Sequence, residues 1–158
     1  MKIYAVTGHR PEKLGGYLAE AEERRLKLAR AYFTADRPDR IITGMALGWD
    51  TAVALAAVEL GIPFIAAVPF KGQEGQWFPN AQKRYRGLLA AACEVVVVSA
   101  GGFTAEKMMI RNEWMVDRAG KVIALWDGSP GGSGNCACYA LRRGVQVVNL
   151  YKFWVKGL

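Results

Sequence analysis

Two glycine-rich turns bring together the residue types that bind anions. The first is Thr43-Gly44-Met45-Ala46-Leu47-Gly48-Trp49-Asp50, and the second is Asp127-Gly128-Ser129-Pro130-Gly131-Gly132-Ser133-Gly134-Asn135. Glycine lets backbone N–H groups come close to a ligand, and a helix starting just beyond the turn adds unpaired donors and partial positive charge. Elsewhere the chain offers Gly8-His9-Arg10, Lys71 with Gln73, and Arg111-Asn112. On this reading Gly44, Gly48, Gly131, Gly132 and Gly134 hold phosphates. Arg10, Lys71 and Arg111 supply charge, and Asp50 or Asn112 takes a ribose hydroxyl.

Spacing excludes several better-known chemistries. Gly44-x-x-x-Gly48 is not the dinucleotide fingerprint, and no Lys-Ser or Lys-Thr follows it to make a P-loop. The first strand carries only Gly8, which argues against hydride transfer. Three cysteines and one histidine make a poor metal set, and Cys136-x-Cys138 has no second pair, so no metal site is expected. The net charge of +7 favours anionic partners, nucleic acid among them, without naming one.

These residues need elements to position them. Ile41-Ile42 leads into the first turn as a strand, and Trp49, Ala52, Val53, Ala56, Ala57 and Leu60 follow at helical spacing. Further strands are predicted over Ile3–Val6, Phe64–Val68, Val95–Val98, Lys121–Trp126 and Val145–Leu150. A helix is predicted from Tyr17 to Phe33, with Leu18, Ala21, Leu28 and Tyr32 facing inward. Ala81, Tyr85, Leu88, Leu89 and Ala92 form the stripe of another. The helix from Ala105 to about Arg118, capped by Thr104, carries Arg111 and Asn112 toward a cavity, with Glu113 as a structural partner. A fifth helix runs through Cys136, Ala140 and Leu141. Continuous apolar strands indicate a parallel sheet covered on both faces.

The expected fold is therefore α/β: one Rossmann-like, doubly wound domain over residues 1–158, with about six strands and five helices. The turns, His9-Arg10 and the Lys71 loop all follow strands and gather at the carboxyl edge of the sheet. In that loop, Trp77 and Phe78 either face a ligand base or pin the loop to the body. The aromatic, basic tail from Tyr151 to Leu158 packs on the body or on another subunit. No run reaches membrane-span length and no signal peptide is evident, so a cytoplasmic protein is expected.

Thr7-Gly8-His9-Arg10-Pro11, the Thr43–Asp50 turn, Pro69-Phe70-Lys71-Gly72-Gln73, Arg111-Asn112-Glu113-Trp114-Met115-Val116-Asp117 and Ala124-Leu125-Trp126-Asp127-Gly128 resemble the YpsA-like branch of the SLOG superfamily. That superfamily also includes the LOG phosphoribohydrolases and the DNA-processing protein DprA. The resemblance implies a Rossmann-like fold that binds a nucleotide or a nucleotide-derived signal. LOG hydrolases pair an arginine in a helix like Met109–Met115 with a glutamate just after a turn like Pro130–Asn135. Here Ala137 and Cys138 stand where those glutamates would lie. Splitting an N-glycosidic bond needs a carboxylate to stabilise an oxocarbenium-like state or activate water. Arg111, Glu74 and Glu113 are the catalytic candidates, with Asp50 a further carboxylate.

The expectation is a nucleotide-binding sensor for an ADP-ribose- or NAD-like ligand, requiring no other cofactor. LOG-type hydrolysis and single-stranded DNA binding are the alternatives. A homodimer is the expected assembly, because symmetric dimers are common.

Overall fold

The computed structural model describes residues 1–157. Its strands are β1 (Ile3–Gly8), β2 (Arg40–Thr43), β3 (Phe64–Val68), β4 (Glu94–Val97), β5 (Lys121–Leu125) and β6 (Gln146–Asn149). They form one six-stranded sheet in the order β4-β3-β2-β1-β5-β6, with every pairing parallel. The interior strands read as continuous apolar runs because both of their faces are covered. The edge strands β4 and β6 are largely exposed.

The helices are α1 (Ala19–Ala35), α2 (Trp49–Leu60), α3 (Pro79–Ala91), α4 (Ala105–Asp117), α5 (Gly132–Arg142) and α6 (Tyr151–Lys156). α1, α2, α3 and α6 pack on one face around Phe33, Trp49, Phe64, Leu88, Leu125 and Trp154. α4 and α5 cover the other face through Met115, Val116, Cys136 and Ala140, against Ala5, Ile42, Ile65 and Val122. Thr104 caps α4 as expected, its hydroxyl accepting from Lys107 N at 3.2 Å. After β4 the chain crosses back to β5 beside β1. The segments leaving β1 and β5 therefore go to opposite faces and open a crevice at their carboxyl ends.

Three details differ from the sequence-based expectation. Leu18 does not face inward: it precedes α1 and is 78% exposed, while Leu14 and Phe33 are fully buried. The tail adds a sixth helix, α6, which packs on the body. Trp154 is buried there, with the Arg24 guanidinium 3.8 Å above its ring. Leu158 lies outside the described residues. In the Lys71 loop the two aromatics separate: Trp77 meets Tyr85 edge-on at 5.2 Å, whereas Phe78 stays exposed.

The amino edge of the sheet is tied together by Asp36. Its carboxylate accepts from Tyr4 Oη (2.8 Å), Tyr32 Oη (2.9 Å), Lys121 Nζ (2.8 Å) and Lys2 Nζ (3.1 Å). These donors, Lys121 first, hold its carboxyl well below the usual range. No helix among the described residues is long and apolar enough to cross a membrane.

Candidate ligand-binding crevice

A cavity of about 250 Å³ lies at the carboxyl ends of β1 and β5, where the winding direction reverses. Its walls are the end of β1 from Val6 to Arg10, Asp50 at the start of α2, Arg111 and Asn112 of α4, and the Ser129–Gly134 turn.

The second glycine turn is open. Gly131 caps α5 with φ +142, and the first helical bond runs from Asn135 N to Gly131 O at 2.9 Å. The N–H groups of Gly132, Ser133 and Gly134 therefore have no acceptor within the helix, and no side chain caps them. A Cβ at Gly131 or Gly132 would meet nothing within 4 Å. Gly134 is different. A Cβ there would lie 3.0 Å from Ser129 O and 3.2 Å from the Trp126 ring, so its hydrogen is needed for packing.

The first glycine turn is filled by the protein itself. Arg111 Nη1 donates to Gly44 O and to Ala67 O at 3.3 Å, while Nε donates to Asn112 Oδ1 at 2.9 Å. A Cβ on Gly44 would fall 2.5 Å from Arg111 Nη1. Gly48 has φ +90, and a Cβ there would fall 2.3 Å from His9 O, which accepts from Trp49 N at 3.3 Å. The Met45 N–H bonds Thr43 Oγ1, and the Ala46 N–H bonds Asp50 Oδ2, both at 3.3 Å. The Met45, Ala46 and Trp49 N–H groups of this turn, expected to face a phosphate, are thus engaged within the fold. Its glycines serve close approach inside the fold.

Asp50 is 5% exposed, and its Oδ1 is buried with no hydrogen-bond partner among the described residues. Burial pushes its carboxyl up, opposed chiefly by the charge of Arg111. Arg111 is itself 3% exposed, and its hydrogen bonds to protein use Nε and Nη1. Behind the crevice, burial raises the Cys136 thiol to about 11, making it an inert packing group.

At the mouth, His9 Nε2 stands 2.9 Å from Asp127 Oδ1 and 3.0 Å from Asp127 N. Asp127 is held well below the ordinary carboxylate range, first by Ser129 and then by His9. Lys13 Nζ donates to Ser129 Oγ at 2.9 Å. Together these contacts brace the open turn against the end of β1.

The crevice thus brings together Gly8, His9, Arg10, Asp50, Arg111, Asn112, Gly131, Gly132, Ser133 and Gly134. Thr43, Gly44, Met45 and Ala46 lie behind it, and Gly48 lines a different cavity. Lys71 is exposed outside it, and Gln73 Nε2 is occupied by Gly44 O and Tyr85 Oη. Asp127 and Gly128 shape the turn rather than the cavity wall, and Asn135 is exposed on α5. Of the catalytic candidates, Glu74 lies beside Arg86, and Glu113 lies on α4. Neither lines the crevice. Sequence reasoning missed Lys13, Met108, Trp126 and Ser129 as lining residues. Met108 was findable, since it sits three residues before Arg111 on the same helix face.

The family model for YpsA, described as the YspA SLOG family, matches residues 4–146. The chain belongs to this SLOG family. The SPbeta prophage-derived protein YoqJ of Bacillus subtilis is 31% identical to this SLOG protein over 139 residues, covering 78% of this chain and 81% of YoqJ. A UPF0398 protein of Shouchella clausii is 30% identical over 144 residues, covering 81% and 74%. Among solved structures, DprA of Streptococcus pneumoniae superposes with a TM-score of 0.68 at 21% identity, over 94% of this chain and 50% of that one. DprA of Helicobacter pylori, described for its single-stranded DNA binding mode, gives 0.66 at 20% identity, over 94% and 64%. The SLOG chain thus spans half of the first DprA chain and under two thirds of the second. The molybdenum cofactor carrier protein of Chlamydomonas reinhardtii gives 0.59 at 16% identity, over 98% and 83%. At these identities the likeness is one of fold.

Proposed function

We propose that this SLOG protein binds a nucleotide or nucleotide-derived ligand and acts in the cytoplasm as a sensor of it. The observation that carries the reading is a pairing within one crevice. Three residues with unengaged helix-start N–H groups line the same cavity as Asp50, whose Oδ1 is buried without a partner among the described residues. The N–H groups suit a phosphate, with Arg10 and Lys13 adding charge. Asp50 Oδ1 suits a ribose hydroxyl, which donates to an acceptor that would otherwise be left unsatisfied.

The cavity is slightly smaller than the roughly 300–1,000 Å³ of pockets that enclose drug-sized ligands. That size fits one nucleotide, or the ribose phosphate portion of ADP-ribose or NAD. Asp50 is the carboxylate lining the crevice, so any N-glycosidic hydrolysis would run through it and not through Glu74 or Glu113. A symmetric homodimer is the proposed assembly.

Strand binding is the second reading, favoured by the net charge of +7 and by the similarity to DprA of Helicobacter pylori. A thermal-shift panel at two salt concentrations separates the readings, using AMP, ADP, ATP, NAD, ADP-ribose, cyclic ADP-ribose and a short DNA strand. A ligand at a hundred times its dissociation constant adds about 2.7 kcal/mol of stability. A selective nucleotide shift supports the first reading, and chromatography of that mixture tests turnover. A DNA shift lost at high salt, with no nucleotide shift, supports the second.

A further inference from the structure

A second cavity, of about 450 Å³, opens on the opposite face of the sheet between α1, α2 and the start of α3. It stands back to back with the crevice: Gly48 and Thr51 line it, while the intervening Asp50 lines the crevice. Its wall contains Arg25, which is 3% exposed. Arg25 Nη1 donates to Leu14 O at 2.7 Å and Gly16 O at 2.9 Å, yet the guanidinium forms no ion pair among the described residues. A buried cation without an anionic partner is costly.

Two further features of the same cavity favour negative charge. Arg84 lines it, with one nitrogen held by Glu22 Oε2 at 3.0 Å. α3 also begins there, and its first helical bond, Gln82 N to Phe78 O at 3.0 Å, leaves the Asn80 and Ala81 N–H groups without helical acceptors. Glu22 and Thr51 also line it, and the Glu22 charge reaches Arg25 as well as Arg84; the other lining residues are mostly apolar. Leu47, Ala52 and Leu55 form one side, and Tyr17 and Phe78 stand at the rim with ring centroids 6.1 Å apart, edge to face. Both rim rings are exposed, at 46% and 71%.

We propose that this cavity is a second ligand site, built for a small aromatic acid: a carboxylate or phosphate carried on a flat ring. The anion sits between Arg25, Arg84 and the start of α3, and the ring lies against Leu55 and the Tyr17–Phe78 pair. Arg84 is shared between Glu22 and the ligand, so Glu22 competes with the bound anion.

Phenyl phosphate is the probe, titrated into the full chain and followed by backbone amide and arginine Nε resonances. Saturable shifts at Asn80, Ala81 and Arg84 are expected, and phenol at the same concentrations should produce none. Arg84→Gln, a partly exposed change that leaves the Arg25 scaffold intact, should weaken binding at least tenfold. Glu22→Gln should tighten it. Absence of saturable shifts at Asn80 and Ala81, shifts confined to Gly132, Ser133 and Gly134, or equal affinity in Arg84→Gln would each overturn the proposal.

Discussion

The two glycine turns look alike in sequence and do opposite things. Each follows a strand, each precedes a helix, and each holds a glycine with φ above +80 at the helix start. Around Gly44 and Gly48 the space freed by missing side chains is taken by the Arg111 guanidinium and the His9 carbonyl. Around Gly131 and Gly132 it is empty. The first turn is therefore a packing joint that locks β1, α2 and α4 together. The second is a rack of unengaged donors. Glycine lets backbone come close, and only the surrounding fold decides whether the approaching group is protein or ligand.

Two aspartates repeat the contrast. Asp36 at the amino edge accepts from two tyrosines and two lysines. Asp50, which lines the crevice at the carboxyl edge, accepts from Ala46 N with one oxygen and leaves the other buried without a partner among the described residues. The saturated carboxylate is structural, and the half-used one is the candidate for ligand contact.

Substitutions can break or sharpen this division. Gly48→Ala should do the most damage, since it combines a left-handed backbone with a collision against a carbonyl oxygen. A loss of about 3 kcal/mol or more in urea unfolding is expected, at the scale of overpacking added to backbone strain. Gly44→Ala should cost roughly 2–3 kcal/mol, because the buried Arg111 must move off the Gly44 carbonyl.

Asp36→Asn should cost about 1–2 kcal/mol at neutral pH. Because the folded protein holds the Asp36 carboxyl below its ordinary value, its contribution is full above the usual carboxylate range. That contribution drains away as pH falls below about 4 toward the folded value. Acid unfolding curves of the Asn variant should lose this component.

Asp50→Asn should leave a folded protein whose nucleotide affinity falls about tenfold, the scale of one charge-assisted hydrogen bond, read by calorimetry. Gly132→Ala should be the mildest for the fold, within about 0.5 kcal/mol, since its methyl enters open space. The same methyl should still reduce phosphate binding several-fold. A stability loss as large as that of Gly44→Ala would erase the distinction between the turns.

Much of the architecture was legible from residue patterns, for identifiable reasons. Phe64–Val68 is a continuous apolar run because both faces are covered, and its predicted bounds coincide with β3. α6 was not legible: six residues are too few for periodicity, and its anchor, Trp154 beneath Arg24, joins residues 130 apart. The Gly131–Gly134 cluster announced a donor-rich helix start. The close approach of Arg111 to Gly44 and of His9 to Gly48 was not legible, since a glycine's neighbours in space are absent from its neighbours in sequence. Arg111 is the instructive case. Its flanking apolar residues pointed to burial near a cavity, but not to the Gly44 and Ala67 carbonyls that engage it.

The most direct measurement is a backbone-amide titration with AMP. The account predicts saturable shifts at Gly132, Ser133 and Gly134, with Met45 and Ala46 largely unmoved because their N–H groups are already bonded. Shifts centred on Met45 and Ala46, or none at the start of α5, would contradict it.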